Sequence, residues 1–351
     1  MRLPRILLFA SAILGLLGLF NSPVQSEIRA ESNFSVRNGG QVAVDGRSFG
    51  TIREYFLSDY FKTTGKRCGT TLPEHSESEA QPLFRSPSDC TLAATVIQDE
   101  YSPEVILTIP VVVHIIHKLD GTGNLQDDRI NRQIRVLNED YAAMAHTLGE
   151  NGFNTRIQFK LEKITRTAND YWFGDNDEIG YKSTLGWDQN RYCNIYVNSA
   201  SGYLGYAYFP AGNPGVRDGL VILYEAFGGR NEGTAPYNQG RTVAHEMGHY
   251  LGLYHTFEGY NACSNTYTTG DLILDTPAES EAHFECMQTY TCSSIDAIHN
   301  YMNYTPDACM DQFTREQANR MVCSLLNYRP NLVTMTLSPS IISPLLLLLN
   351  D

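Results

Sequence analysis

The sequence predicts a mixed α/β (α+β) fold in two lobes: an upper lobe of helices on a twisted sheet, and an irregular lower lobe held by disulfides. Three observations predict it. From Pro103 onward, β-branched runs alternate with stretches of helical spacing, the mark of a sheet covered by helices. A histidine-rich helix closes that series. Beyond His255 regular patterning fades, and Cys263, Cys286, Cys292, Cys309 and Cys323 crowd into a loop-rich stretch. A small lobe with a thin core needs covalent staples of this kind.

The elements follow in order. Val105 to Ile116 is apolar and β-branched enough for a buried strand. His114 and His117 lie in or beside it and read as hydrogen-bonded structural residues rather than ligands. Asp127 to Ala145 places Ile130, Ile134, Leu137, Tyr141 and Met144 at helical spacing, with acids at its start. Ile157 to Ile164 alternates as a strand, Glu178 to Leu185 suits a short helix, and Cys193 to Asn198 and Leu220 to Tyr224 are further strands. The glycine- and aromatic-rich run Gly202 to Pro210 is either a cleft lining or a packed hairpin.

The last helix of the upper lobe, from about Gln239, carries H-E-x-x-H-x-x-G-x-x-H at residues 245–255. His245 and His249 are one helical turn apart and reach a single metal ion from one face. Glu246 sits beside the first ligand, where a general base for an attacking water must be. Gly252 permits a left-handed turn that stops the helix and returns His255 as a third ligand. Three neutral imidazoles leave one tetrahedral position open, the arrangement of a catalytic zinc ion.

The chain ends carry other signals. Arg2 and Arg5 precede an apolar run from Ile6 to Phe20, so residues 1–26 read as a cleaved signal peptide, with a retained signal anchor as the alternative. Losing those two arginines takes the formal charge from 26 − 39 = −13 to 24 − 39 = −15. So acidic a chain argues against nucleic acid and anionic membrane partners, and its eight cysteines suit an oxidising, extracellular setting. Residues 27–98 are polar and weakly periodic, as expected of a flexible propeptide. Within them Lys66-Arg67-Cys68-Gly69-Thr70 offers a thiolate that could fill the open metal position, or a disulfide from Cys68 to Cys90. Asn33-Phe34-Ser35 is a glycosylation sequon. The apolar tail Ile341 to Leu349, within 332–351, resembles a minimal lipid-anchor signal or a loosely packed end. The catalytic part divides into an upper subdomain, 99–255, and a lower one, 256–331.

The metal helix, the turn Asn300-Tyr301-Met302-Asn303-Tyr304, the R-C-G-T segment and the G-D-x-x-x-D-T-P stretch from Gly270 to Pro277 together resemble the pappalysin family of metzincin metallopeptidases. The resemblance is best over about residues 236–330. It implies a two-lobed fold with a mostly parallel sheet and a secreted zinc endopeptidase, made as a zymogen and acting on proteins or peptides. It implies that His245, His249 and His255 hold Zn2+ and that Glu246 is the base. Met302 then forms the Met-turn floor under the metal, and Tyr304 stabilises the oxyanion. Cys68 takes the role of switch cysteine, and Cys263–Cys292 and Cys286–Cys309 are the lower-lobe disulfides. Cys193 and Cys323 are left as a pair, with Cys90 unpaired. Asp271 and Thr276 match calcium ligands, but Ala278 stands where another oxygen is expected. Ala308 replaces an acid associated with preference for a basic residue after the cut, although Asp307 is adjacent. The sequon at Asn303 falls inside the Met-turn and is expected to carry no sugar. Two other readings stay open: an inactive zinc-holding adhesion or binding module, and the same protease held at the cell surface by its tail.

Overall fold

The computed structural model describes residues 34–36, 40–71, 90, 97–212, 214–229, 231–259 and 261–337. The signal peptide, Asn33 of the first sequon and the apolar run Ile341 to Leu349 lie outside them, while residues 332–337 of the expected 332–351 tail are described and join the main sheet.

Within the expected flexible propeptide, the described residues 34–36 and 40–71 are folded. β1 (Ser35–Val36), β2 (Val42–Val44) and β3 (Arg47–Phe49) form an antiparallel sheet. Two short helices follow, α1 (Ile52–Leu57), capped by Thr51, and α2 (Asp59–Thr63), capped by Ser58. Their apolar residues are few, but aromatic and shared: Tyr55, Phe56 and Phe61 are buried together, and Tyr237 from the catalytic part completes the group, 5.7 Å from Phe56. Burying these rings is worth roughly 1.5–3 kcal/mol each, enough to order a segment that lacks a core of its own. Weak periodicity in sequence therefore did not mean disorder.

The upper lobe is built on β4 (Val105–His117). Then come α3 (Asp127–Tyr141), β5 (Ile157–Ala168), the one-turn α4 (Asp170–Phe173), α5 (Glu178–Leu185), β6 (Cys193–Asn198), β7 (Gly205–Ala207), β8 (Leu220–Leu223) and the metal helix α6 (Arg241–Tyr250). Strand order is β5-β4-β6-β8-β7, parallel except for β7. β6 along its whole length and β4 from Val111 to Ile116 are buried on both faces, as a parallel sheet requires. The α3 helix ends at Tyr141, earlier than its spacing predicts. Ala143 adopts a left-handed φ of 45° and Met144 is exposed. His114 is stacked on Tyr196 and bonded to Thr165 and Asn194, a structural role. His117 bonds the Lys118 carbonyl.

Between Tyr250 and Arg315 no helix or named strand is present among the described residues. The lobe closes with α7 (Arg315–Tyr328), started by a Thr314/Gln317 capping box, and β9 (Thr334–Leu337), which returns to pair antiparallel with β4. Disulfides join Cys263 to Cys292 and Cys286 to Cys309. The third joins Cys90 to Cys323 on α7, while Cys193 and Cys68 are free and buried. This corrects two expectations: Cys193 is not paired with Cys323, and Cys90 is neither unpaired nor bonded to Cys68.

Candidate active site

The metal helix is fixed from several directions. Its N-terminus has no side-chain cap of its own, Gly240 being the capping residue. Asp307 of the lower lobe supplies one instead, accepting the Gln239 and Arg241 N–H groups at 2.8 and 3.2 Å. Its negative charge also suits the positive end of the helix dipole. Asp307, adjacent to Ala308, is thus buried and occupied in holding the helix, and burial raises its pKa. Arg241 makes a buried ion pair with Asp140 of α3, and Tyr141 donates to the Ala244 carbonyl. At the far end Gly252 adopts φ +93°, and a Cβ there would lie 2.5 Å from Ser324 Oγ. The chain turns there and brings His255 back.

The three histidines converge. His249 Nε2 lies 2.9 Å and His245 Nε2 3.2 Å from His255 Nε2. Their other ring nitrogens face partners outside the cluster: His245 Nδ1 the Tyr301 carbonyl at 2.7 Å, His249 Nδ1 the Leu253 carbonyl at 2.8 Å, and His255 Nδ1 the Glu258 carboxylate at 2.8 Å. The two carbonyls require an N–H at Nδ1, so His245 and His249 turn bare Nε2 lone pairs inward. Burial holds both rings well below their usual pKa, hence neutral. Two neutral rings with inward lone pairs and externally fixed Nδ1–H groups, joined by the His255 Nε2, are the donor set of a metal centre, and these residues fit one.

Cys68 belongs to the same cluster, its Sγ grouped with the three imidazole donors. It also lies 3.4 Å from Glu246 Oε2. Burial, then the nearby Glu246 charge, raises its thiol pKa. Thr70, which sequence reasoning quoted but gave no role, donates to Glu246 Oε2 at 3.0 Å and accepts the Ala207 N–H at 2.9 Å. The segment from Lys66 runs beside the edge strand β7: the Leu204 N–H bonds Lys66 O, and the Gly69 N–H bonds Gly205 O. The Gly202–Pro210 run is therefore both strand and cleft rim. Gly69 is needed there because a Cβ would meet the Tyr203 ring at 2.9 Å. Arg67 is buried against the Tyr237 ring and Met310 Sδ.

Glu246 is fully buried, and burial pushes its carboxyl up to about 7 despite the opposing pull of Arg67, Cys68 and Thr70. Met302 packs under the helix, where a Cβ on Gly248 would come within 2.4 Å of its Sδ. The Tyr304 ring lies 4.8 Å from that of His255, edge-on. Asn303 is buried, with its amide on Glu279. Asp271 and Thr276 face each other instead of an open site: the Thr276 hydroxyl bonds both carboxylate oxygens, and Asn265 bonds Thr276. Nothing there supports calcium.

The family model described as pregnancy-associated plasma protein-A, a metallopeptidase model, matches residues 176–326. An extracellular metalloprotease of Arthroderma benhamiae is 34% identical over 276 residues, covering 76% of this chain and 93% of its own. The chain belongs to the pappalysin family. It is a metalloprotease, and its relatives are extracellular enzymes; extracellular metalloprotease 1 of Coccidioides posadasii is 38% identical over 226 residues, 61% of this chain and 75% of that protein. Mature mirolysin of Tannerella forsythia, solved with a cleaved peptide, superposes with a TM-score of 0.53 at 32% identity, covering 66% of this chain and all of that one. A promirolysin mutant from the same organism gives a TM-score of 0.54 at 30% identity, covering 66% and 85%. No helix among the described residues is long and apolar enough to cross a membrane.

Proposed function

We propose that this metalloprotease is a secreted zinc endopeptidase of proteins and peptides, made as a latent chain whose Cys68 segment blocks the cleft. The observation that carries the reading is the convergence of three imidazole Nε2 atoms, with the Nδ1 of His245 and His249 bonded to backbone carbonyls and that of His255 facing Glu258. His245, His249 and His255 would hold zinc, which supplies Lewis acidity and brings the pKa of a water to about 7. Glu246, next to His245 on the metal helix, takes the proton of the attacking water and hands it to the leaving nitrogen. Tyr304, whose ring packs beside His255, would donate to the oxyanion. Met302 fills the space beneath the helix, and the Tyr301 carbonyl orients His245. The edge strand β7, which bonds residues 66–70, offers the same backbone groups to a substrate once that segment leaves.

Latency has two parts. Cys68, grouped with the three histidines, would fill the remaining ligand position, and Thr70 ties up the base. The test is digestion of casein by the processed protein with and without a zinc chelator, followed by zinc add-back. Cleavage that survives complete zinc removal overturns the assignment.

A further inference from the structure

A second group of metal-capable side chains lies in the lower lobe, apart from the three-histidine centre: Glu279, His283 and Asp296. Both acids are buried, and His283 is half-buried. His283 Nε2 lies 3.1 Å from Asp296 Oδ2 and 3.5 Å from Glu279 Oε2. Ligands about 2.0–2.2 Å from a tetrahedral ion are about 3.3–3.6 Å from each other. The spacing therefore resembles that of the catalytic imidazoles.

Charge decides between an ion pair and a metal. Among the described residues, the only ion pair either acid makes is with His283. A protonated imidazole carries one positive charge against two buried carboxylates and leaves one negative charge uncompensated. Such a charge is expensive in a protein interior, whereas a divalent ion with a neutral imidazole cancels it. The ligands are also held from outside, as metal ligands are. The Ala297 N–H and Asn303 amide donate to Glu279, and the Thr291 N–H and hydroxyl donate to Asp296. The Thr256 hydroxyl is buried beside Glu279 and interacts with its carboxylate.

We propose that Glu279, His283 and Asp296 bind a second divalent ion of the zinc type. A nitrogen donor with two carboxylates favours a borderline transition metal over calcium, which takes six or more oxygens. The ion also reaches the active site mechanically. Glu279 holds the Asn303 amide, and Asn303 Oδ1 accepts the Tyr304 and His283 N–H groups. A metal on Glu279 and His283 thus braces the turn that presents Tyr304.

The experiment counts zinc. The full chain in a Glu246→Ala background, which prevents self-digestion, is dialysed to equilibrium against micromolar free zinc at neutral pH, and bound metal is measured by mass spectrometry. Two equivalents are expected. His283→Gln and Asp296→Asn should each lose one, and so should His245→Ala, through the other site. A single equivalent in the background chain overturns the proposal, and this arm needs no further variant to fold. Two equivalents that persist in both His283→Gln and Asp296→Asn overturn it as well. A loss with His283→Gln but none with His245→Ala leaves the second site standing and instead overturns the three-histidine reading.

Discussion

Gly248 lies on the metal helix directly before His249 and over the Met302 sulfur. A Cβ at this position would be 2.4 Å from Sδ and 3.2 Å from Cε. Ordinary contacts of this kind begin at about 3.5 Å, so the sulfur must move by about 1 Å. Met302 is fully buried, and its turn is tied on both sides: its N–H bonds Asn300 Oδ1, and its carbonyl accepts the Thr256 N–H. Forcing a methyl into such a core costs about 1–3 kcal/mol. Alanine in place of glycine returns about 1 kcal/mol of helix propensity. The net loss for Gly248→Ala is then about 0–2 kcal/mol, too small a window to decide anything alone. The coupling decides. Met302→Ala by itself should cost about 2–5 kcal/mol through the cavity it leaves. With alanine already at 248, part of that cavity is filled and the clash is gone, so the double mutant should be more stable than the sum by about 1–3 kcal/mol. Urea denaturation of all four proteins at fixed zinc measures this. A second readout follows from Tyr301, whose carbonyl orients His245. Displacing the turn should weaken zinc binding about 10-fold or more. Additive stabilities within about 0.5 kcal/mol, together with unchanged zinc affinity, would refute the packing argument.

Glu246→Ala should keep its zinc and lose at least about 10²–10⁴-fold in turnover, checked by metal analysis beside a peptide assay. Cys68→Ala should raise the activity of the uncut chain, and adding Thr70→Val should raise it further, because Thr70 still engages the base when the thiol is gone. If the single variant already equals the processed enzyme, Thr70 has no part in latency. The Cys90–Cys323 bond sets where an activating cut is useful. A cut at residues 72–89 frees the Cys68 segment, whereas one at 91–97 leaves it tethered until reduction. Engineered protease sites on the two sides of Cys90 should differ in non-reducing gels and in activity, and identical behaviour would sink this. Burial lifts the Asp271 carboxyl to about 7, against about 3.9 in an unfolded chain. A raised folded pKa gives stability that is present below about pH 4 and lost as the pH climbs through about 7. Asp271→Asn should therefore flatten the fall in Tm between those limits relative to the parent, and parallel profiles would contradict the assignment.

Much of the upper lobe was legible in sequence because its signals are local. A strand such as Val105–His117, a helix such as Asp127–Tyr141 and the spacing of His245, Glu246 and His249 each depend on neighbours within a few turns. The third ligand was legible for the same reason, since Gly252 and His255 follow at a fixed offset. The fold of the described N-terminal segment, residues 34–36 and 40–71, was not. Its aromatic residues are too scattered to show a period, and their core is completed by Tyr237, far along the chain. The engagement of Glu246 by Thr70 joins residues 176 positions apart, and nothing in R-C-G-T announces it.

The sequence by itself determined the chemistry available: three imidazoles, one carboxylate and a cysteine to spare. Tertiary structure alone decided which cysteine met which, joining Cys90 to Cys323 across 233 residues and leaving Cys193 free. It also decided that Asp307 caps the metal helix, and that Glu279, His283 and Asp296 meet in one place in the lower lobe. The physical reason is that helix and strand periods are set by the backbone over a few residues. Contacts between distant segments depend instead on which surfaces the packed core brings together, and no local pattern encodes that.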